Sequence, residues 1–196
     1  MTKMMTIARA AACSAIALAS MCADAASTQT VVESTSYGLL SLPATEGFNL
    51  SVAQMPANDT FLADYGFSIG SNGSFSSAVV TFDLSNVFQI SGLTVTLLQG
   101  TPFSGALPTD LDASQIADRD SRIIVTGSGM PTAQTIDAMT LTSGDYTVEV
   151  SGTSVGTNGG TYAGLLNVAA VPEPTGMLLG LAGLGLLALA RRRAAR

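Results

Sequence analysis

Residues 144–153 read Gly-Asp-Tyr-Thr-Val-Glu-Val-Ser-Gly-Thr. Tyr146, Val148 and Val150 alternate with Thr147, Glu149 and Ser151. Successive side chains of a strand point to opposite faces, so this period of two predicts a half-buried antiparallel β-strand. The stretch 92–100 repeats the pattern, with Leu93, Val95 and Leu97 inward and Thr94 and Thr96 outward. Residues 75–84 and 121–129 read as further strands, more continuously apolar. Weaker candidates lie at 28–35, 48–54, 65–70, 135–144 and 161–170. Ser71-Asn72-Gly73, Ser91-Gly92, Ser143-Gly144 and Asn158-Gly159-Gly160 separate them, and Asn72-Gly73 and Ser143-Gly144 predict tight hairpins. Many short strands with frequent turns predict an all-β chain folded as a single β-sandwich-like domain. The one helix or long loop expected is 109–120, with Thr109 as its cap.

The two ends differ from this middle. Lys3 and Arg9 precede a short apolar stretch from Ala10 to Met21, and Ala23-Asp24-Ala25 follows as a small-x-small site. That order predicts a secretory signal peptide over 1–25, cut after Ala25. At the other end, residues 175–190 are all apolar or small, and Arg191, Arg192, Arg193 and Arg196 follow. Sixteen helical residues span about 24 Å, short for a bilayer core of roughly 30 Å, and adjoining residues and local thinning make up the difference. By the positive-inside rule the arginines stop transfer and stay in the cytoplasm, leaving residues 26–170 as a β-rich domain outside.

Absent side chains narrow the chemistry. The chain has no histidine or tryptophan, its cysteines are Cys13 and Cys22, and its one lysine is Lys3. The predicted mature domain therefore offers no His- or Cys-based triad, no zinc site with nitrogen or sulfur ligands and no Schiff-base lysine. No cofactor is expected. Between Glu33 and Glu149 there are twelve carboxylates against two arginines, Arg119 and Arg122, a net of −10. So acidic a surface repels nucleic acid and anionic lipid headgroups. What remains is carboxylate chemistry, such as the acid pair of a glycosidase. Asp110, Asp112, Asp118 and Asp120 crowd one stretch and suggest calcium, but the EF-hand pattern fails at its glycine and its bidentate glutamate, and solvated acids pairing with Arg119 and Arg122 explain them. Phe61, Tyr65 and Phe67 offer a sugar-stacking platform or the core side of a strand, and alternation favours the core. Leu42-Pro43-Ala44-Thr45 matches a sortase core, yet Glu46 stands where glycine belongs.

Val171-Pro172-Glu173-Pro174, the glycine-interrupted apolar run and the arginine end occur in that order. This tail closely resembles the PEP-CTERM sorting signal. The resemblance implies that Val171, Pro172, Glu173 and Pro174 form the motif read by an exosortase, a transpeptidase-like membrane enzyme of Gram-negative bacteria that make exopolysaccharide. The prolines hold this stretch extended and out of the helix. The middle is also similar to a PEP-CTERM subgroup with an F-x-D-x-F pattern. Phe61, Asp64, Tyr65 and Phe67 supply that cluster with spacing one residue off, and Tyr146 to Gly152 and Gly159 to Gly164 supply its later strand and turn. Together these features predict a non-enzymatic exported surface or matrix protein in an exopolysaccharide or biofilm setting. It is tethered to the inner membrane before processing, with an exosortase and possible exopolysaccharide as partners. The alternative is a carbohydrate-binding module or carboxylate-only glycosidase with the same tail.

Overall fold

The computed structural model describes residues 28–56 and 58–171, together with Ala182, Leu184 and Arg191. The predicted leader, Pro172-Glu173-Pro174, most of the apolar run, and Arg192, Arg193 and Arg196 lie outside the described residues. Among those described, no helix is long and apolar enough to cross a membrane.

Within residues 28–171, eleven strands and one helix follow in order: β1 (Gln29–Leu40), β2 (Ala44–Val52), β3 (Thr60–Ile69), β4 (Gly73–Phe82), β5 (Ile90–Gln99), β6 (Thr109–Asp110), α1 (Ala113–Ser121), β7 (Ile123–Thr126), β8 (Ser128–Met130), β9 (Ala133–Leu141), β10 (Gly144–Ser154) and β11 (Gly160–Ala170). They form two sheets, ordered β6-β1-β3-β10-β5-β7 and β2-β11-β4-β9-β8. The inner faces enclose one main core, so the expected all-β sandwich is present. Of the strand pairs, β1 with β3 is parallel and the others are antiparallel.

The core follows from the alternation. Tyr146, Val148 and Val150 on β10 and Leu93, Val95 and Leu97 on β5 are all buried. Tyr146 stands opposite Gln99, and Val148 opposite Leu97, so the inward sets of the two strands share one face. The aromatic residues meet across the sandwich. Phe61 of β3 stacks on Tyr162 of β11, with ring centroids 5.8 Å apart. Tyr65 stacks on Phe48 at 4.2 Å. Phe67 packs between Phe75 at 5.5 Å and Tyr146 at 5.7 Å. The buried hydroxyls of Tyr65 and Tyr162 bond to each other at 2.8 Å, which satisfies polar groups that would otherwise be costly in a dry core. Burial pushes the Tyr65 hydroxyl up to about 12 and raises Tyr162 further, so both stay protonated.

Three expectations need correction. Asn72-Gly73 and Ser143-Gly144 do not close hairpins. The first joins β3 to β4 and the second joins β9 to β10, and in each case the two strands belong to different sheets. Turn chemistry fixes where the chain reverses, while pairing is decided by which faces must be buried. The chain changes sheet at almost every reversal, and the tight antiparallel hairpin is instead β8–β9. Second, residues 121–129 are two strands. They separate at Gly127, where an added Cβ would sit 2.5 Å from Val95 Cγ1 and 2.7 Å from the Thr135 carbonyl oxygen. Third, α1 is capped by Asp112. Its side chain accepts from the Ser114 and Gln115 amides at 2.8 and 2.9 Å, and Gln115 returns the bond to the Asp112 amide at 2.9 Å. Thr109 lies earlier, in β6.

Candidate functional site

The polar half of the β10 alternation does not face water. Thr147 and Glu149 are as buried as their apolar neighbours, and so is Asp64 on the adjacent strand. The cover is the segment between β5 and β7. It leaves β5, adds β6 beside β1, forms α1 and returns as β7 beside β5, crossing the outer face of the first sheet. Leu111 joins Val31 and Leu62 in a second small core, with Phe103 and Ile116 against it. Pro102 lies directly over Gly66, where an added Cβ would come within 2.4 Å of Pro102 Cδ. Glycine at 66 is therefore what lets the cover settle.

Beneath this cover, Asp64 and Glu149 stand directly opposite each other on β3 and β10. Each is 3% exposed. Arg119 reaches down from α1 and donates from Nε to Glu149 Oε2 at 2.6 Å, with Nη2 also paired to that carboxylate. Its Nη1 donates to Gln29 Oε1 at 3.0 Å. The Phe103 amide donates to Asp64 Oδ2 at 3.0 Å, and Ser34 Oγ donates to the Phe103 carbonyl. Thr147 Oγ1 donates to the Gly100 carbonyl at 2.9 Å. The covering segment is thus pinned by polar bonds to the sheet it hides.

Two carboxylates with one arginine between them carry excess negative charge. Like charges directly opposite on neighbouring strands repel. Burial, above all, pushes Glu149 up to about 7, and the Asp64 charge adds to this while Arg119 opposes it. Asp64 is raised too, again chiefly by burial, against the pull of the Phe103 amide, Arg119 and Arg122. No fixed donor among the described residues reaches Asp64 Oδ1.

This geometry has a consequence for stability. A carboxylate whose value is raised on folding stabilises fully below its unfolded range, near pH 4, and loses that contribution as pH rises through the folded value, here about 7. Between pH 5.5 and 8.5 this loss is worth about 2 kcal/mol. The melting temperature should therefore be about 5–10 °C higher at pH 5.5 than at pH 8.5. Asp64→Asn should flatten the profile, because it removes one charge from the pair. Calorimetry across that range checks this, and a melting temperature that climbs with pH in the parent protein would contradict it.

A cavity of about 330 Å³ opens beside the pair, between α1 and the sheet, lined by Asp64, Phe103, Ser114, Asp118, Arg119 and Arg122 among others. Glycosidase acids stand about 5–5.5 Å apart in retaining enzymes and roughly 6.5–9.5 Å apart in inverting ones, with the scissile bond between them. Asp64 and Glu149 lie beneath the cover, Asp64 accepting from the Phe103 amide and Glu149 from Arg119, so both carboxylates pin the covering segment to the sheet.

The remaining candidates separate cleanly. Phe61, Tyr65 and Phe67 point into the core, so no sugar can stack on them, while Asp64 points the other way into the buried pair. The four aspartates near α1 do not converge. Asp110 accepts from Thr30, Asp112 caps the helix, and Asp118 lies 3.5 Å from Arg122 Nε. Among the described residues, no three acids are placed to hold a metal. The Asp64–Glu149–Arg119 cluster escaped the sequence reading because alternation tells which residues share a face and says nothing of what lies over it.

Val171 is the last described residue before the tail, and its amide points to the Asn72 carbonyl at 3.4 Å. The tail begins there without a linker, as β11 ends at Ala170. Residues 170–194 match the PEP-CTERM protein-sorting motif. The chain carries a PEP-CTERM sorting signal. That motif implies an exported protein, held at the membrane before an exosortase processes it. No curated protein sequence matches the chain. Among solved structures, the pre-peptidase C-terminal domain of collagenase from Bacillus anthracis aligns at 14% identity over 70% of this chain and 93% of that domain, with a TM-score of 0.35.

Proposed function

We propose that the chain is a non-enzymatic cargo protein of the cell surface or extracellular matrix, delivered by its sorting tail. The observation that carries this is the PEP-CTERM motif over residues 170–194, which follows the last strand of the sandwich without a linker. Its parts are a signal peptide over 1–25, a β-rich extracytoplasmic domain over 26–170 and a sorting segment over 171–196. Val171, Pro172, Glu173 and Pro174 are what the exosortase grips. Arg191, Arg192, Arg193 and Arg196 stop transfer and keep the tail end in the cytoplasm. Processing then passes the domain to the surface or to an exopolysaccharide matrix, where its net charge of −10 keeps it soluble and away from nucleic acid.

Membership of the F-x-D-x-F subgroup belongs to the same reading. What supports it is that the residues carrying the resemblance meet one another: Phe61 stacks on Tyr162, the Tyr65 and Tyr162 hydroxyls bond, and Asp64 pairs with Glu149. The shared pattern then specifies how the sandwich closes and how its cover is pinned, not a ligand.

Fractionation tests the proposal. In a host lacking the exosortase, the protein should collect in the inner membrane as a longer form than in the parent host, with its domain open to protease from the periplasm. The same length and the same release in both hosts would overturn it.

A further inference from the structure

Once the tail is a tether, the fold dictates which end of the sandwich faces the bilayer. Three reversals surround the point where the tail leaves: β1 to β2, β3 to β4 and β9 to β10. Register places them together. Leu40 and Gly144 both pair with Ile69, while Gly73 pairs with both Ala170 and Leu141. The opposite end is made by the β2–β3, β4–β5 and β10–β11 connections.

The two ends differ in charge. Residues 36–45, 66–79 and 138–144, which build the three corners at the exit end, hold no Asp, Glu, Lys or Arg, although the domain carries twelve acids. Its exposed tips include Leu39, Pro43, Ser71, Asn72, Thr142 and Ser143, with Leu39 72% exposed. Charges stand at its margin: exposed Asp145 follows Gly144 and accepts from Ser68 Oγ, Glu46 and Asp137 lie next to the corner segments in the chain, and Arg122 with its partner Asp118 sits beside Gln99. The far end carries Asp59 and Asp83 in its connections.

Reach closes the argument. Val171 is bonded to Asn72, and residues 172–174 alone separate it from the apolar run that starts at Thr175. Four residues span at most about 14 Å. A ten-residue strand runs about 33 Å. The far end therefore cannot come down to the membrane while the tail is inserted, whereas the exit end cannot leave it. Acidic groups on the corners themselves would be repelled by anionic headgroups and would lose hydration. We propose that the exit end, whose corners around Leu39, Ser71 and Thr142 carry no charge, is a surface that rests against the lipid bilayer before processing.

This inference depends on the tethered state proposed above. To test it, the full chain carrying Cys13→Ser and Cys22→Ser is given one cysteine, by Ser71→Cys or by Thr157→Cys at the far end. Each is labelled with a donor dye and reconstituted in phosphatidylcholine–phosphatidylglycerol vesicles with an acceptor on the headgroups. Energy transfer from position 71 should exceed that from position 157 several-fold. Adding Leu39→Glu should lower the transfer from position 71 in these vesicles and change it less in phosphatidylcholine alone. Equal transfer from both positions in chains that float with the vesicles overturns the orientation and leaves the tether standing. Chains that do not float overturn both.

Discussion

Arg119→Met is expected to lower the stability of the folded domain by about 3–5 kcal/mol, because it strands a buried acid without its cation. Arg119 bonds Glu149 through two of its nitrogens, and Glu149 is only 3% exposed. Arg122 does not bond Glu149: its Nη1 donates to the Thr101 carbonyl at 3.2 Å and its Nε lies 3.5 Å from Asp118. The loss should be greater at pH 8.5 than at pH 5.5, since the stranded acid can take up a proton at the lower pH and cannot at the higher. Adding Glu149→Gln should restore a large part of the loss by removing the charge that needed pairing. Urea unfolding of the three proteins at the two pH values measures this. A single-variant cost below about 1 kcal/mol would mean that the pair behaves like a surface ion pair and does not anchor the cover.

The second large effect concerns sorting. Changing Pro172, Glu173 and Pro174 together to alanine leaves the apolar run and all four terminal arginines in place. Insertion should persist, because hydrophobicity and positive charge drive it. Processing should fall to background, because the enzyme loses an extended backbone held by two prolines and the one carboxylate of the tail. The variant should therefore accumulate as a long, membrane-bound form. Deleting residues 191–196 should act differently, weakening stop-transfer and orientation while leaving the motif readable. If the alanine variant is trimmed and released at the parent rate, the motif is a spacer and the recognition role assigned to it is wrong.

The sandwich was legible because its strands keep strict alternation. Tyr146, Val148 and Val150, and Leu93, Val95 and Leu97, face the core as their spacing demands. The tail motif was legible for a different reason: its parts are contiguous. What the sequence concealed is non-local. Asp64 and Glu149 are brought together only because β10 inserts between β3 and β5, an order that no local pattern encodes. Thr147 and Glu149 look like solvent-facing polar residues until the segment from Gly100 to Arg122 is laid over them. The hairpin expectations failed for a related reason. Asn72-Gly73 and Ser143-Gly144 do mark reversals, but a reversal between sheets and one within a sheet use the same residues. The helix cap was readable and missed, since Asp112 with Gln115 three residues later is a capping box where Thr109 is not.

The measurement that bears most directly on the account is the intact mass of the protein released from cells, compared between a parent host and one lacking its exosortase. The account predicts a released species in the parent host that begins near Ala26 and ends at or beside residues 171–174, having lost the apolar run and the arginines. It predicts no such species in the other host, where the membrane form should retain Arg196. A released protein that still carries Arg196, or identical masses in the two hosts, would contradict it.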